Sequence, residues 1–261
     1  MSLATAPPPD TGKGLLLAGA LLLAWILSLV LLLQADLVHL PLPVLLLAVV
    51  IRSVLHTGLF IVGHDAMHGL LLPGRPRLNH QLGQWALWLY AGLPYGACRI
   101  NHLRHHQAPG SVRDPDHQPL QGGGLLRWFI HFMATYLSAG QMLRLLGGWT
   151  LLALLAAPSG AMAPVSVLLV CTLPLLISSL QLFVFGTYLP HRQGEGQSHH
   201  HQARSLELPV WLSLLACFHF GYHWEHHEFP TSAWFQLPGM RRYRPSLSPQ
   251  SMQLAPLVLP R

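Results

Sequence analysis

Three groups of histidines carry the chemistry in this chain: His64-Asp-Ala-Met-His68, His102-Leu-Arg-His105-His106 and His223-Trp-Glu-His226-His227. On a helix, residues three and four apart share a face, so each box presents its imidazoles as one convergent set. Imidazole ligates iron, zinc, copper and nickel. These eight ligands exceed what one tetrahedral ion takes, so the boxes point to two metals. The spacing HxxHH occurs twice, about 120 residues apart, which is far more specific than one isolated pair. No cysteine joins the boxes, which argues against a structural zinc site. Haem needs only one or two axial histidines. A histidine-rich pair of irons suits oxygen activation, which needs open coordination positions inside a dry wall.

The rest of the chain supplies such a wall. Of 261 residues, 51% are hydrophobic and 9% charged, against roughly 25% charged in soluble domains. Leu15 to Leu33 is almost wholly apolar and, at nineteen residues, is longer than a signal-peptide core. A second apolar run, Leu42 to Gly63, leads straight into the first box. Further spans are expected at about 142–157 and 163–187, with Pro164 and Pro174 as possible kinks in the last. Shorter half-buried or interfacial helices are expected at Gln84 to Ala97, Arg127 to Leu137 and Leu208 to Phe220. The expected fold is therefore all-α and integral to the membrane, with four transmembrane helices, interfacial helices and a histidine-rich cap. An unstructured tip is expected over 1–13, the metal-binding domain over 14–240 and a surface tail over 241–261.

Net charge is +6 with histidine neutral. The Lys and Arg residues are spread along polar connectors without a basic helix, which argues against nucleic acid and for phospholipid head groups. No Lys or Arg lies in the two proposed outer turns; Arg52 lies within the second span, and the other fourteen sit on the same side as the boxes or at helix ends on that side. The positive-inside rule then puts the termini and the boxes in the cytoplasm. The three cysteines, Cys98, Cys171 and Cys217, are far apart and read as free thiols in apolar packing.

Outside the boxes, Arg52 and His56 lie four apart inside the second span. Ionisable groups at that depth usually face a cavity, so they are candidate substrate-pocket residues, with a simple polar contact as the alternative. In the tract His199 to His201, His201 is a further pocket candidate. His39, His80 and His131 stand alone and read as interface residues.

The boxes resemble those of the membrane-bound fatty-acid desaturase and hydroxylase superfamily. The chain is similar, more narrowly, to the bacterial and cyanobacterial β-carotene ketolases. The stretches that carry this are Phe60-Ile-Val-Gly-His-Asp-Ala-Met-His-Gly69, Pro73-Gly-Arg-Pro-Arg77, Asp114-Pro-Asp116, Phe185-Gly-Thr-Tyr-Leu-Pro-His-Arg192, Ala203-Arg-Ser205 and Cys217-Phe-His-Phe-Gly-Tyr-His-Trp-Glu-His-His227. The resemblance runs from about residue 40 to 240. It implies a di-iron oxygenase that uses O2 to convert the C4 methylene of a carotenoid β-ionone ring to a ketone. It makes the box histidines the iron ligands and adds His191, about thirty residues before the last box. Asp65, Asp116 and Glu225 are then candidate partners that fix imidazole tautomers.

The chain has no flavin, NAD or haem motif, so electrons are expected from a reduced ferredoxin. Arg99, Arg104 and Arg192 are a candidate docking face for that acidic partner. The same metal centre also suits a carotenoid ring hydroxylase or an acyl-lipid desaturase, and the Glu228 to Pro230 continuation is similar to acyl desaturases. Two readings from other classes are a metal transporter and a structural metal-binding subunit without turnover. Transporters usually place polar ligands mid-membrane, whereas these boxes sit at helix ends.

Overall fold

The computed structural model describes residues 8, 10–37, 39–117, 124–156, 162–192 and 202–243. Among these residues all regular structure is helical. Helix α1, Thr11–Gln34, starts where the Asp10 side chain accepts from the amide of Lys13 at 3.0 Å. That cap satisfies one of the orphan donors of a first turn. The helix thus begins inside the stretch expected to be an unstructured tip. Helix α2, Leu42–Met67, carries the apolar run four residues beyond its expected end, so it includes His64 and stops with His68 at its C-cap.

Helix α3, Pro76–Ala91, and helix α4, Tyr95–Gln107, come after it. They correct the expectation of one helix over Gln84 to Ala97. The chain breaks because Gly92 takes a left-handed φ of 63° that closes α3, and Pro94 then disfavours helical backbone at Leu93. Helix α5, Leu125–Tyr136, and helix α6, Ala139–Leu155, come next. Helix α7, Ala163–His191, runs as one rod through two wider π turns, Leu168–Thr172 and Phe183–Tyr188. Three short α-helices, α8, Val210–Cys217, α9, His223–Glu228, and α10, Leu237–Met240, with 3-10 turns at Trp234–Gln236 and Arg241–Tyr243, complete the described chain.

Helices α1, α2 and α7 are long and apolar enough to cross a membrane, and α6 is a shorter apolar helix. Exposed leucines cover α1 and the first half of α2, including Leu16, Leu23, Leu31, Leu42 and Leu47. Such surface is stable against lipid and costly against water. The N-terminal end of α1 meets the turn before α10, where Gln236 donates to the carbonyl of Pro8 and Lys13 lies 5.0 Å from the Phe235 ring centre. Helices α2 and α7 carry His64 and His191 in their last turns.

Arg52 and His56 hold this bundle together. Arg52 is fully buried and donates to the carbonyls of Val170 and Trp25 and to Ser28. The indole of Trp25 donates to His56 Nδ1 at 3.0 Å, and His56 Nε2 lies 2.6 Å from the carbonyl of Tyr90. These bonds join α1, α2, α3 and α7. Close packing of α2 on α3 depends on two glycines. A Cβ at Gly63 would overlap Leu87, and one at Gly83 would overlap Tyr95 and Ala66.

Candidate metal centre

The three boxes and His191 lie on four helices, and the fold turns these segments toward one another. His64 and His68 come from the end of α2, and His102, His105 and His106 from the last turns of α4. His191 comes from the end of α7, just past its second π turn. A π turn places one extra residue per turn, which re-aims the side chains beyond it, and such turns recur at functional sites. His223, His226 and His227 come from α9. The chain reaches α9 through left-handed backbone at Phe218 (φ 46°) and His219 (φ 66°). Non-glycine residues held there cost roughly 1–3 kcal/mol each and persist only where their surroundings impose them.

The imidazoles sort into two sets. His64, His68, His102 and His226 bring one ring nitrogen each within 4.8 Å of one another, and His105, His191, His223 and His227 do the same. His106 sits between the sets. Its Nε2 lies 2.8 Å from that of His226, and its ring stacks on His227 at 4.3 Å. All nine expected histidines therefore meet at one place.

Their contacts fit metal binding. In the second set Nε2 separations are 2.8 Å for His191–His223, 3.1 Å for His223–His227 and 3.1 Å for His105–His227. A neutral imidazole Nε2 carries either one hydrogen or one lone pair in the ring plane. Three consecutive contacts cannot then all be good hydrogen bonds. A shared cation satisfies all four lone pairs at once. Two nitrogens about 2.1 Å from one ion and at right angles are about 3.0 Å apart. In the first set His68 and His102 approach to 2.7 Å. His64 is buried with neither ring nitrogen hydrogen-bonded, which fits the donor set of a metal site.

Electrostatics agree. Burial, reinforced by neighbouring imidazoles, holds His102, His223, His226 and His227 well below the usual imidazole range. Burial, with Arg99, takes His68 down to about 4. These rings stay neutral, as ligands must. His105 goes the other way. Burial opposes its protonation, but the bond to Asp114 and the charges of Asp116 and Asp114 outweigh it and raise the value.

The carboxylates are arranged differently from the expectation. Asp114, rather than Asp116, meets an imidazole: both its oxygens lie 2.9 Å from His105 Nδ1. The amides of Gly110 and Asp116 also donate to Asp114. Asp116 instead accepts from the Tyr136 hydroxyl at 2.6 Å. The turn between α4 and Asp116 points the first aspartate of Asp114-Pro-Asp116 back at its own helix end and the second away. Asp65 Oδ1 is 3.7 Å from His64 Nδ1, beyond a hydrogen bond. Glu225 is buried and accepts from the Ser205 hydroxyl, which itself accepts from the amide of Trp224, so this carboxylate anchors α9. Sequence reasoning also missed the carbonyl of Gln202, 3.1 Å from His191 Nδ1. A main-chain partner leaves no mark in residue types.

A cavity of about 260 Å³ opens onto both sets. His64 and His102 of the first and His105 and His223 of the second stand in its wall. Most of the remaining wall is apolar, including Phe60, Met67, Phe132, Leu145, Trp149 and Phe220. Arg52 and His56 are absent from that wall, so the alternative holds for them: they make polar contacts within the bundle. His201 lies outside the described residues.

Comparison with known proteins agrees with this geometry. The fatty acid desaturase family matches residues 37–254. A beta-carotene ketolase of Paracoccus sp. (strain PC1) is 41% identical over 237 residues, covering 89% of this chain and 94% of that protein. A beta-carotene ketolase of Paracoccus sp. (strain N81106 / MBIC 01143) is 43% identical over 189 residues, covering 72% of this chain and 75% of that one. A zeaxanthin 4-ketolase of Chlamydomonas reinhardtii is 38% identical over 193 residues, covering 72% of this chain and 42% of that one.

Proposed function

This chain belongs to the fatty acid desaturase family, and from that premise we propose that it is a di-iron, O2-dependent oxygenase that converts the C4 methylene of carotenoid β-ionone rings to a ketone. The observation that carries the reading is one apolar cavity with two four-histidine sets in its wall. The first iron falls to His64, His68, His102 and His226, the second to His105, His191, His223 and His227, with His106 between them. When bound there, the irons supply the activation of O2.

The chain's own residues do the rest. Asp114 holds the His105 tautomer so that Nε2 faces the centre. The carbonyl of Gln202 does the same for His191. Phe60, Phe132 and Trp149 seat a hydrocarbon ring and exclude water from it. Two successive oxidations take the methylene through an alcohol to a geminal diol that loses water. Together they consume two O2, four electrons and four protons and release three waters. A reduced ferredoxin supplies the electrons, docking near Arg99, Arg104 and Arg192.

We read the protein as a four-span membrane protein with its centre on the cytoplasmic side. Helix α6 starts at the end of α3, where Gln141 donates to the carbonyl of Ala91. At 17 residues it reaches about 25 Å, near the hydrocarbon thickness. The test is expression in a β-carotene-producing host. Gain of one oxygen and loss of two hydrogens per ring is expected. A hydroxyl-only product or an altered fatty-acid profile overturns the ketolase reading in favour of a ring hydroxylase or an acyl desaturase.

A further inference from the structure

The cavity has a feature that a hydrocarbon ring does not use. Tyr136 and Asp116 both stand in its wall and are bonded to each other, hydroxyl to Oδ1, at 2.6 Å. The pair is fixed from behind. Trp128 Nε1 donates to the Asp116 carbonyl at 2.9 Å, and the Asp116 amide donates to Asp114 Oδ1 at 2.9 Å. It is also at the metal end of the cavity, since an Asp116 oxygen lies within 4.8 Å of a His105 ring nitrogen. Of the other polar residues in the wall, Gln141 and Ser179 spend donors on the carbonyls of Ala91 and Leu176.

Tyr136 donates its one hydrogen to Asp116. That leaves a phenol lone pair and the second carboxylate oxygen as acceptors. An apolar cavity that keeps acceptors beside its reacting end is suited to a ligand that brings a donor there; in the same wall Gln141 Oε1 is a buried acceptor without a partner among the described residues. We propose that Tyr136 and Asp116 form a hydroxyl-binding corner that accepts a hydrogen bond from an alcohol on the ring being oxidised. The proposal rests on the ketolase reading above. Two alcohols have this chemistry. One is a hydroxyl already present at C3, the carbon next to the one oxidised. The other is the C4 alcohol left by the first oxidation, which the corner would hold for the second.

Tyr136→Phe removes the phenol and releases Asp116 while keeping the ring. With β-carotene, the holoenzyme variant is expected to raise the ratio of released C4 alcohol to ketone about tenfold, if the corner retains the alcohol. With zeaxanthin, its conversion relative to β-carotene is expected to fall about tenfold, if the corner reads the C3 hydroxyl. Either shift supports the corner and names its source. Both are ratios within one preparation, so a merely structural loss of active protein does not move them. A second measurement needs no variant. Wild-type holoenzyme, held anaerobic without reductant, is titrated with zeaxanthin and with its dimethyl ether, which cannot donate, using quenching of tryptophan fluorescence as the signal. Zeaxanthin is expected to bind about tenfold tighter if the C3 hydroxyl is read. Unchanged product and substrate ratios in an active Tyr136→Phe, or, where that variant does not fold, equal binding of the two ligands together with measurable alcohol release by wild type, overturn the proposal. A wild type that makes no ketone from β-carotene sinks the ketolase reading, and the corner with it.

Discussion

The two histidine sets differ in who holds them. In the second, His105 is gripped by Asp114 and His191 by the carbonyl of Gln202, and all four rings are buried. In the first, His68 and His102 are only partly buried and bond each other, while the nitrogens of His64 bond nothing. In the second set protein orients two of the four rings, His105 and His191, while His223 Nδ1 has no hydrogen-bond partner among the described residues. The first is a ring of lone pairs that a cation must organise. A paired centre can thus combine a partly braced half with an adaptable half, and the wall of the cavity takes residues from both.

Breaking a ligand gives the largest effect. His223→Ala in the second set and His226→Ala in the first are each expected to lower ketone formation by more than about 100-fold. Metal analysis should show each variant keeping about half the iron, because the other set is intact. Retention of full iron and turnover by either would remove that set from the centre.

Next comes the support behind the ligands. Asp114→Asn is expected to cost about 10–100-fold in metal affinity or activity, the usual effect of losing such a partner. Asp65→Asn, at a carboxylate 3.7 Å from His64, is expected to cost less. Parallel iron titrations of the two variants check this, and the reverse order would mean that the first set is the braced one.

Acid should affect the metal-free protein in a defined window. Burial lowers His102, His223, His226 and His227, and takes His68 to about 4. Between about 6.5 and those values the unfolded chain binds protons that the folded chain refuses, so stability falls as pH drops below about 6.5. His105 opposes this. Its raised value contributes stability that is full below about 6.5 and lost as pH rises through the folded value. Seven lowered imidazoles, those five with His117 and His219, outweigh raised His105 and Asp116, so the metal-free melting temperature should drop between pH 7 and 5. A flat profile would contradict the buried, neutral rings.

The smallest effect lies in the platform. Gly83→Ala drives a methyl into Tyr95 and Ala66 where α3 packs on α2, with an expected loss of about 1–3 kcal/mol. Denaturant unfolding measures it, and iron content per folded chain should stay unchanged.

Much of this was legible in residue order. HxxHH written twice after apolar runs announces convergent imidazoles at helix ends, and uninterrupted leucine-rich stretches specify α1 and α2. The pairing into two sets was not legible, because it depends on how α4 and α9 face each other across about 120 residues. Asp114 and Asp116 are equivalent in sequence, and only the turn after α4 separates the imidazole partner from the tyrosine partner. Arg52 and His56 sit at the depth expected, yet depth does not say which wall they face. Trp25, from another helix, decides it. The break at Gly92 stands in the residue order, since Gly92 and Pro94 lie inside the expected helix.

The most direct measurement is the iron content of purified protein, taken on the same sample that is assayed on β-carotene. The account predicts two irons per chain and a 4-keto product, both lost on chelation and both restored by ferrous iron. Undiminished ketone formation by iron-free protein would contradict it.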